Sequence, residues 1–231
     1  MFRKLRKWLG YFVLFLLFIS IILSIPYVQT KIGSYFTQKI NEDFGTDIVI
    51  EKVDFSFIGS VNLKGVKIKD HHQDTLIYLQ KLRTSLLNFK RILDNQVNLK
   101  SISMEGVDFH LKTYKGETND NLSIFIELFD DGKPRDSLTP PFILKSSNIY
   151  INKLNFKLID ANKIDSIDYQ ILNAGGNLQD FSIVGPNFSS NIRGLYFNDS
   201  YNLNVTNLST DFRYSLSGMD FKNTTLQTEF S

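Results

Sequence analysis

DIVIEKVDFSFIGSVNLKGVKIKD, residues 47–70, alternates apolar and polar side chains, as strands with one buried face do. Ile48 and Ile50 give way to Val53, Phe55 and Phe57; after Gly59-Ser60 come Val61 and Leu63, then Val66 and Ile68. The alternation continues throughout, but its phase slips, once at Gly65. The same slip recurs downstream, from Val97 and Leu99 to Ile102 and Met104, then to Val107, Phe109 and Leu111, with Gly106 at one change of phase. A glycine at such a point predicts a β-bulge, which bends the strand and increases its twist. A tight hairpin at each glycine is the alternative.

Working outward, the alternation resumes at Ile149 and Ile151, and again at Leu154, Phe156 and Leu158. Further strands are expected over 178–184, 192–197 and 201–205, and through Phe212, Tyr214 and Leu216. Asn173-Ala174-Gly175-Gly176 and Gly185-Pro186-Asn187 read as turns. One short helix interrupts the strands: Leu122, Phe125, Ile126 and Phe129 keep helical spacing behind Asn119-Asp120-Asn121. Asp130-Asp131-Gly132-Lys133-Pro134 ends it, and the run to Pro140-Pro141 reads as exposed loop. Leu226, Thr228 and Phe230 still alternate up to Ser231, so the β domain, residues 46–231, reads as truncated at its C-terminal end. One apolar face thus runs along many consecutive strands. A second sheet, closure of the sheet on itself, or lipid would each cover it.

Upstream, residues 8–30 carry no charge, and residues 9–25 are almost wholly apolar. At about 1.5 Å per residue that inner run spans roughly 26 Å, and its flanks bring it to the ~30 Å of a bilayer's hydrocarbon layer. Trp8, Tyr11 and Tyr27 are placed for the two interfaces, and Arg3, Lys4, Arg6 and Lys7 put the N-terminus in the cytoplasm. Leu23-Ser24-Ile25-Pro26-Tyr27-Val28 lacks the small-x-small exit of a cleaved signal peptide, so residues 1–30 are expected to be a basic head and a retained transmembrane anchor. Pro26 can open a following helix. Val28, Ile32, Tyr35, Phe36 and Ile40 then keep helical spacing, with Gly45 as its stop, which defines an amphipathic helix over 31–45. That helix either packs on the β domain or caps an apolar groove.

Composition narrows the function. The net charge is +2, and subtracting the four basic residues before the anchor leaves −2 for the rest, which is no footprint for nucleic acid. The absence of cysteine removes disulfides, thiolate metal sites and cysteine nucleophiles, and points to a bacterial envelope protein rather than a bridged eukaryotic ectodomain. Asp70-His71-His72-Gln73-Asp74 is the one cluster that suggests a metal. It falls between two strands where a polar turn is expected, and neighbouring histidines on a strand face opposite ways. No metal or cofactor is therefore expected. Asn173-Ala174-Gly175-Gly176 is no phosphate loop, there is no nucleophile elbow, and no catalytic residue emerges; the chain does not read as an enzyme.

The order of features is more specific than any one motif. A basic head and one apolar span lead into PYVQTKIGSYFTQKINEDFGTDIVIEKVDFSFIGSVNLKGVKIKD, residues 26–70. A helix there ends at Gly45, an I-x-I-x-x-V strand follows at Ile48, Ile50 and Val53, and G-x-V-x-L-x-G-V-x-I-x-D runs from Gly59 to Asp70. LQKLRTSLLNFKRILDNQVNLKSISMEGVDFHLKTYKG, residues 79–116, adds a strand, a linker and a strand with an internal glycine. This resembles the N-terminus of the AsmA-like superfamily, and within it most resembles the TamB family of translocation and assembly module subunits. Residues 1–115 carry the resemblance; the remainder matches only in general pattern.

The resemblance implies an elongated, curved, antiparallel β-sheet that forms an apolar groove. It also implies anchorage in the bacterial inner membrane as a single-pass protein whose bulk is periplasmic. The implied function is phospholipid transport towards the outer membrane, outer-membrane protein assembly, or both. Its implied partners are phospholipid acyl chains and, through regions beyond Ser231, an outer-membrane barrel protein. The apolar strand positions then become lipid-groove candidates: Val61, Leu63, Val66, Ile68, Val107, Phe109 and Leu111. The alternative is a membrane-anchored β-sandwich, a scaffold or adhesion domain with a closed core.

Overall fold

The protein is described from a computed structural model that covers residues 24–55, 60–86, 96–129, 143–163, 168–185, 187–215 and 217–229, with positions 11, 14, 18, 21 and 22. It is mainly β. Nine strands lie in chain order across one open sheet: β1 (Asp47–Phe55), β2 (Ser60–Lys69), β3 (Thr75–Leu86), β4 (Gln96–Thr113), β5 (Ile143–Asp160), β6 (Asp168–Val184), β7 (Asn187–Asp199), β8 (Asn204–Ser215) and β9 (Gly218–Thr228). Among the described residues two helices are delimited, α1 (Pro26–Phe44) and α2 (Asn121–Glu127).

The sheet is mixed, where an antiparallel one was expected. Seven neighbouring pairs are antiparallel, but β4 and β5 run parallel, in unbroken register from Gln96↔Ile143 to Thr113↔Asp160. A parallel pair needs a long return connection. Residues 114–142, which contain α2, provide it.

The glycine phase slips are not bulges with an inserted residue. Pairing of β1 with β2 and of β3 with β4 keeps one register across Gly65 and Gly106: Ile50↔Val66 and Lys52↔Lys64 flank the first, Leu79↔Val107 and Lys81↔Glu105 the second. Both glycines have positive φ, +61° and +68°, a left-handed conformation that costs glycine little. Such a residue inside an extended strand reverses the facing of the residues beyond it, and the neighbouring strands must shift with it to stay paired. They do. The apolar side steps from Ile50 to Val53, from Val66 to Leu63, from Leu79 to Leu82 and from Val107 to Met104, and the matched residues are partners. The line continues at left-handed Lys153 in β5, Asn173 in β6 and Gly194 in β7. Side chains replace backbone partners along it: Asn173 N–H donates to Asn155 Oδ1 at 3.2 Å, and Gly194 N–H to Ser209 Oγ at 3.1 Å. Register shifts do occur where the line crosses β5 to β7, and also between β2 and β3 at Ile68/Lys69, where β3 carries Leu76 as the extra, fully buried residue.

Two expected boundaries move. Residues 173–176 are no turn; β6 runs straight through them, with Gly175 beneath the ring of Tyr196. Residues 201–203 are a turn rather than a strand, closed by Tyr201 and Leu203 N–H groups on Asp199 Oδ1 at 2.9 and 2.7 Å.

Helix α1 begins on Pro26, five residues before the expected start at 31, and stops as expected at Gly45, in the left-handed conformation (φ 67°). Its buried positions are Gln29 and Gly33 rather than the expected apolar stripe, and Tyr35 is exposed. Gly33 lets the helix approach until a side chain there would strike Val53, which is 1% exposed. No helix among the described residues is long and apolar enough to cross a membrane. Trp8 and most of the expected anchor lie outside the described residues. Tyr11, Leu14, Phe18, Ile21 and Ile22 are helical with exposed side chains, and Tyr27 is exposed in the first turn of α1.

Candidate functional site

Residues opposed across neighbouring strands point to the same side of a sheet. Three rows of partners therefore define one face: Ile68↔Ile77↔Phe109↔Phe156, Val66↔Leu79↔Val107↔Leu154 and Leu63↔Leu82↔Met104↔Ile151. Val61 begins a fourth row through Thr84 and Ile102 to Ile149, and Leu111 pairs with Leu158. All seven groove candidates thus share one apolar face, with the phase slip absorbed between the second and third rows. Aromatic rings extend it: Phe109 meets Phe156 at 5.4 Å between ring centres, and Phe181, Phe188, Phe212 and Phe221 form a ladder at 4.9–5.4 Å across β6 to β9.

No second sheet lies over this face among the described residues. Even so, Leu63, Val66, Ile68, Phe109 and Leu111 are only half-buried, and Val61 and Val107 are buried. On β9 the same side opens, with Met219, Phe221 and Leu226 at 55–62% exposure. The β1 side is closed by α1. Asn41 donates from Nδ2 to the Ile48 carbonyl and accepts the Ile48 N–H on Oδ1, both at 2.9 Å, and Val53 N–H reaches Thr30 Oγ1 at 3.5 Å.

The turn between β2 and β3 is built on Asp70, the last residue of the G-x-V-x-L-x-G-V-x-I-x-D stretch. Asp70 is 4% exposed, and its carboxylate is fully served. Oδ1 accepts the N–H groups of His72 and Asp74 at 3.0 Å each, while Oδ2 accepts Tyr114 Oη–H at 2.7 Å and Asn121 Nδ2 at 2.9 Å. Asn121, 1% exposed, also bridges β4 by donating to the His110 carbonyl and accepting the Lys112 N–H. Burial, and then the two aspartates Asp70 and Asp74, push the Tyr114 hydroxyl far above its ordinary pKa. This network fixes the β2–β3 turn to β4 and to the start of α2. The turn that follows α2 reaches α1, with the Phe129 ring tilted against Phe44 at 5.0 Å between centres.

His71 and His72 occupy that turn, as expected, but alternation does not separate them because the turn is not extended backbone. Their rings lie 4.5 Å apart, and both reach Glu117: His71 Nε2 is 2.9 Å from Oε2, and His72 Nε2 is 2.6 Å from Oε1. Hydrogen bonds from His72 and then His71 hold the Glu117 carboxyl below the ordinary carboxylate range. Glu117 has no local sequence signal that ties it to the histidines; contacts of Lys112, Tyr114 and Asn121 with Asp70 and Asp74 bring the two segments together. Comparison with protein-family models and with curated proteins finds no match.

Proposed function

We propose that this chain is an inner-membrane-anchored, periplasmic segment of a lipid-carrying β-groove. In this reading it takes phospholipid towards the outer membrane, serves outer-membrane protein assembly, or both. The apolar face that continues over all nine strands, with no second sheet above it among the described residues, carries this reading. A sandwich would place another sheet about 10 Å away. Half-burial of an uncovered face fits a sheet that folds over along its width, so that its own flanks shade the middle.

The energetics suit a passive carrier. Each CH₂ moved into water costs about 0.8 kcal/mol, so a lipid with ~30 of them faces on the order of 20 kcal/mol on leaving a bilayer. Nine strands at ~4.8 Å offer about 40 Å of continuous apolar surface, enough to hold acyl chains along their length. No catalytic group is needed, and the resemblance to the AsmA-like superfamily supplies the direction of transport.

Photo-crosslinking in cells tests the reading. A photoreactive residue at Leu63 or Phe109 is expected to capture phospholipid, and one at Asn62 or Asp108, a strand step away on the other face, is not. Equal labelling at all four positions, or none at Leu63 and Phe109, would remove lipid from the groove and favour a scaffold.

A further inference from the structure

We propose that His71, His72 and Glu117 form a zinc-binding site that clips the β2–β3 turn to the segment after β4. The three side chains come from turns 46 residues apart at most, and one ligand atom from each lies within 4.8 Å of the other two. Tetrahedral zinc with bonds of about 2.0–2.1 Å spaces its ligand atoms roughly 3.3–3.4 Å apart. The present contacts of 2.6 and 2.9 Å need to open by roughly 0.4–0.8 Å, a small rotation for side chains that are partly exposed.

The supports are in place before any ion arrives. Tyr114 Oη–H donates to both Asp70 and Asp74, and the ring of His72 stacks on Tyr114 at 3.8 Å. Glu117 sits in a turn closed by its own N–H on the Tyr114 carbonyl at 3.0 Å. Asn162, from the turn after β5, braces it: Nδ2 donates to the Glu117 carbonyl at 2.7 Å, and Oδ1 accepts the Gly116 N–H at 2.7 Å. Asp74 is committed to Lys112 and Tyr114, so it stays out of the ligand set. Two imidazoles and one carboxylate suit zinc, disfavour the all-oxygen preference of calcium and magnesium, and leave a fourth position for water.

The test uses the full chain, stripped of metal, titrated with zinc against a chromophoric chelator. One equivalent is expected to bind, with affinity at least tenfold lower in His71→Ala, in His72→Ala and in Glu117→Gln, and unchanged in His110→Ala. X-ray absorption of the zinc-loaded wild type is expected to show two imidazole nitrogens; this readout does not depend on the variants folding. Failure to bind zinc, binding that survives the three substitutions unchanged, or a zinc environment with fewer than two imidazoles overturns the proposal.

Discussion

Replacing Leu63 by Asp asks whether the apolar face is wet or dry. Leu63 is half-buried between its partners Val53 in β1 and Leu82 in β3. On an open face the new carboxylate hydrates. The cost is then about half of a leucine's burial, roughly 1–1.5 kcal/mol, plus the poor fit of Asp to a strand, for a total of about 2 kcal/mol. In a closed core the same substitution buries an unpaired carboxylate and costs several kcal/mol, a large part of the 5–15 kcal/mol that hold a domain together. Val53→Asp provides the contrast within one face. Val53 is 1% exposed under Gly33, so this variant is expected not to fold. Urea unfolding followed by far-ultraviolet circular dichroism measures both. The expectation is a Leu63→Asp protein with a lowered midpoint, an unchanged slope and no lipid transfer. If Leu63→Asp unfolds as Val53→Asp does, the groove reading is refuted and the face is a closed core.

Asp70→Ala removes an acceptor shared by Tyr114 Oη–H, Asn121 Nδ2 and two backbone N–H groups. With Tyr114 keeping Asp74 and water reaching part of the turn, a loss of about 3–4 kcal/mol is expected in the same assay; under 1 kcal/mol would show the network to be incidental. Asp211 is held below the ordinary carboxylate range by Arg193, whose guanidinium lies 2.6 Å away, and then by Asn223. Because its folded pKa is depressed, its contribution is present above the unfolded value of about 3.9 and is lost as pH falls through the folded one. Carbon-13 NMR should show a midpoint below about 3.9 that rises in Arg193→Gln, and an unmoved midpoint contradicts the pairing. A reporter active only outside the cytoplasm, fused after Ser231, should be active with the protein in the membrane fraction; a soluble mature form starting near Tyr27 would remove the anchor.

Alternation made the strands and their common face legible, because a step of three between apolar residues marks each slip wherever it falls. Its cause was only partly legible. Gly65 and Gly106 announce left-handed backbone, but Lys153 adopts it without any such sign, and β3 follows the shift at Gln80 with an ordinary residue. Asn173 and the two glycines after it look like a turn because the same residues serve a slip in a continuous strand and the close approach of Tyr196. The direction of β5 left no trace, since a parallel and an antiparallel strand alternate alike. The histidine cluster was half visible. His71 and His72 stand in the sequence together, whereas Glu117 joins them through tertiary contacts centred on Asp70 and Asp74.

The two edges of the sheet are chemically unlike. On β1 the N–H and carbonyl of Ile48, which would receive an adjoining strand, are already held by the Asn41 amide. On β9 no strand lies on the outer side among the described residues. A fibre grows without limit only when every unit has two adhesive edges, and here α1 terminates one. Helix α1 thus works as a chain terminator against sheet polymerisation, and the Asn41 amide is the group that enforces it.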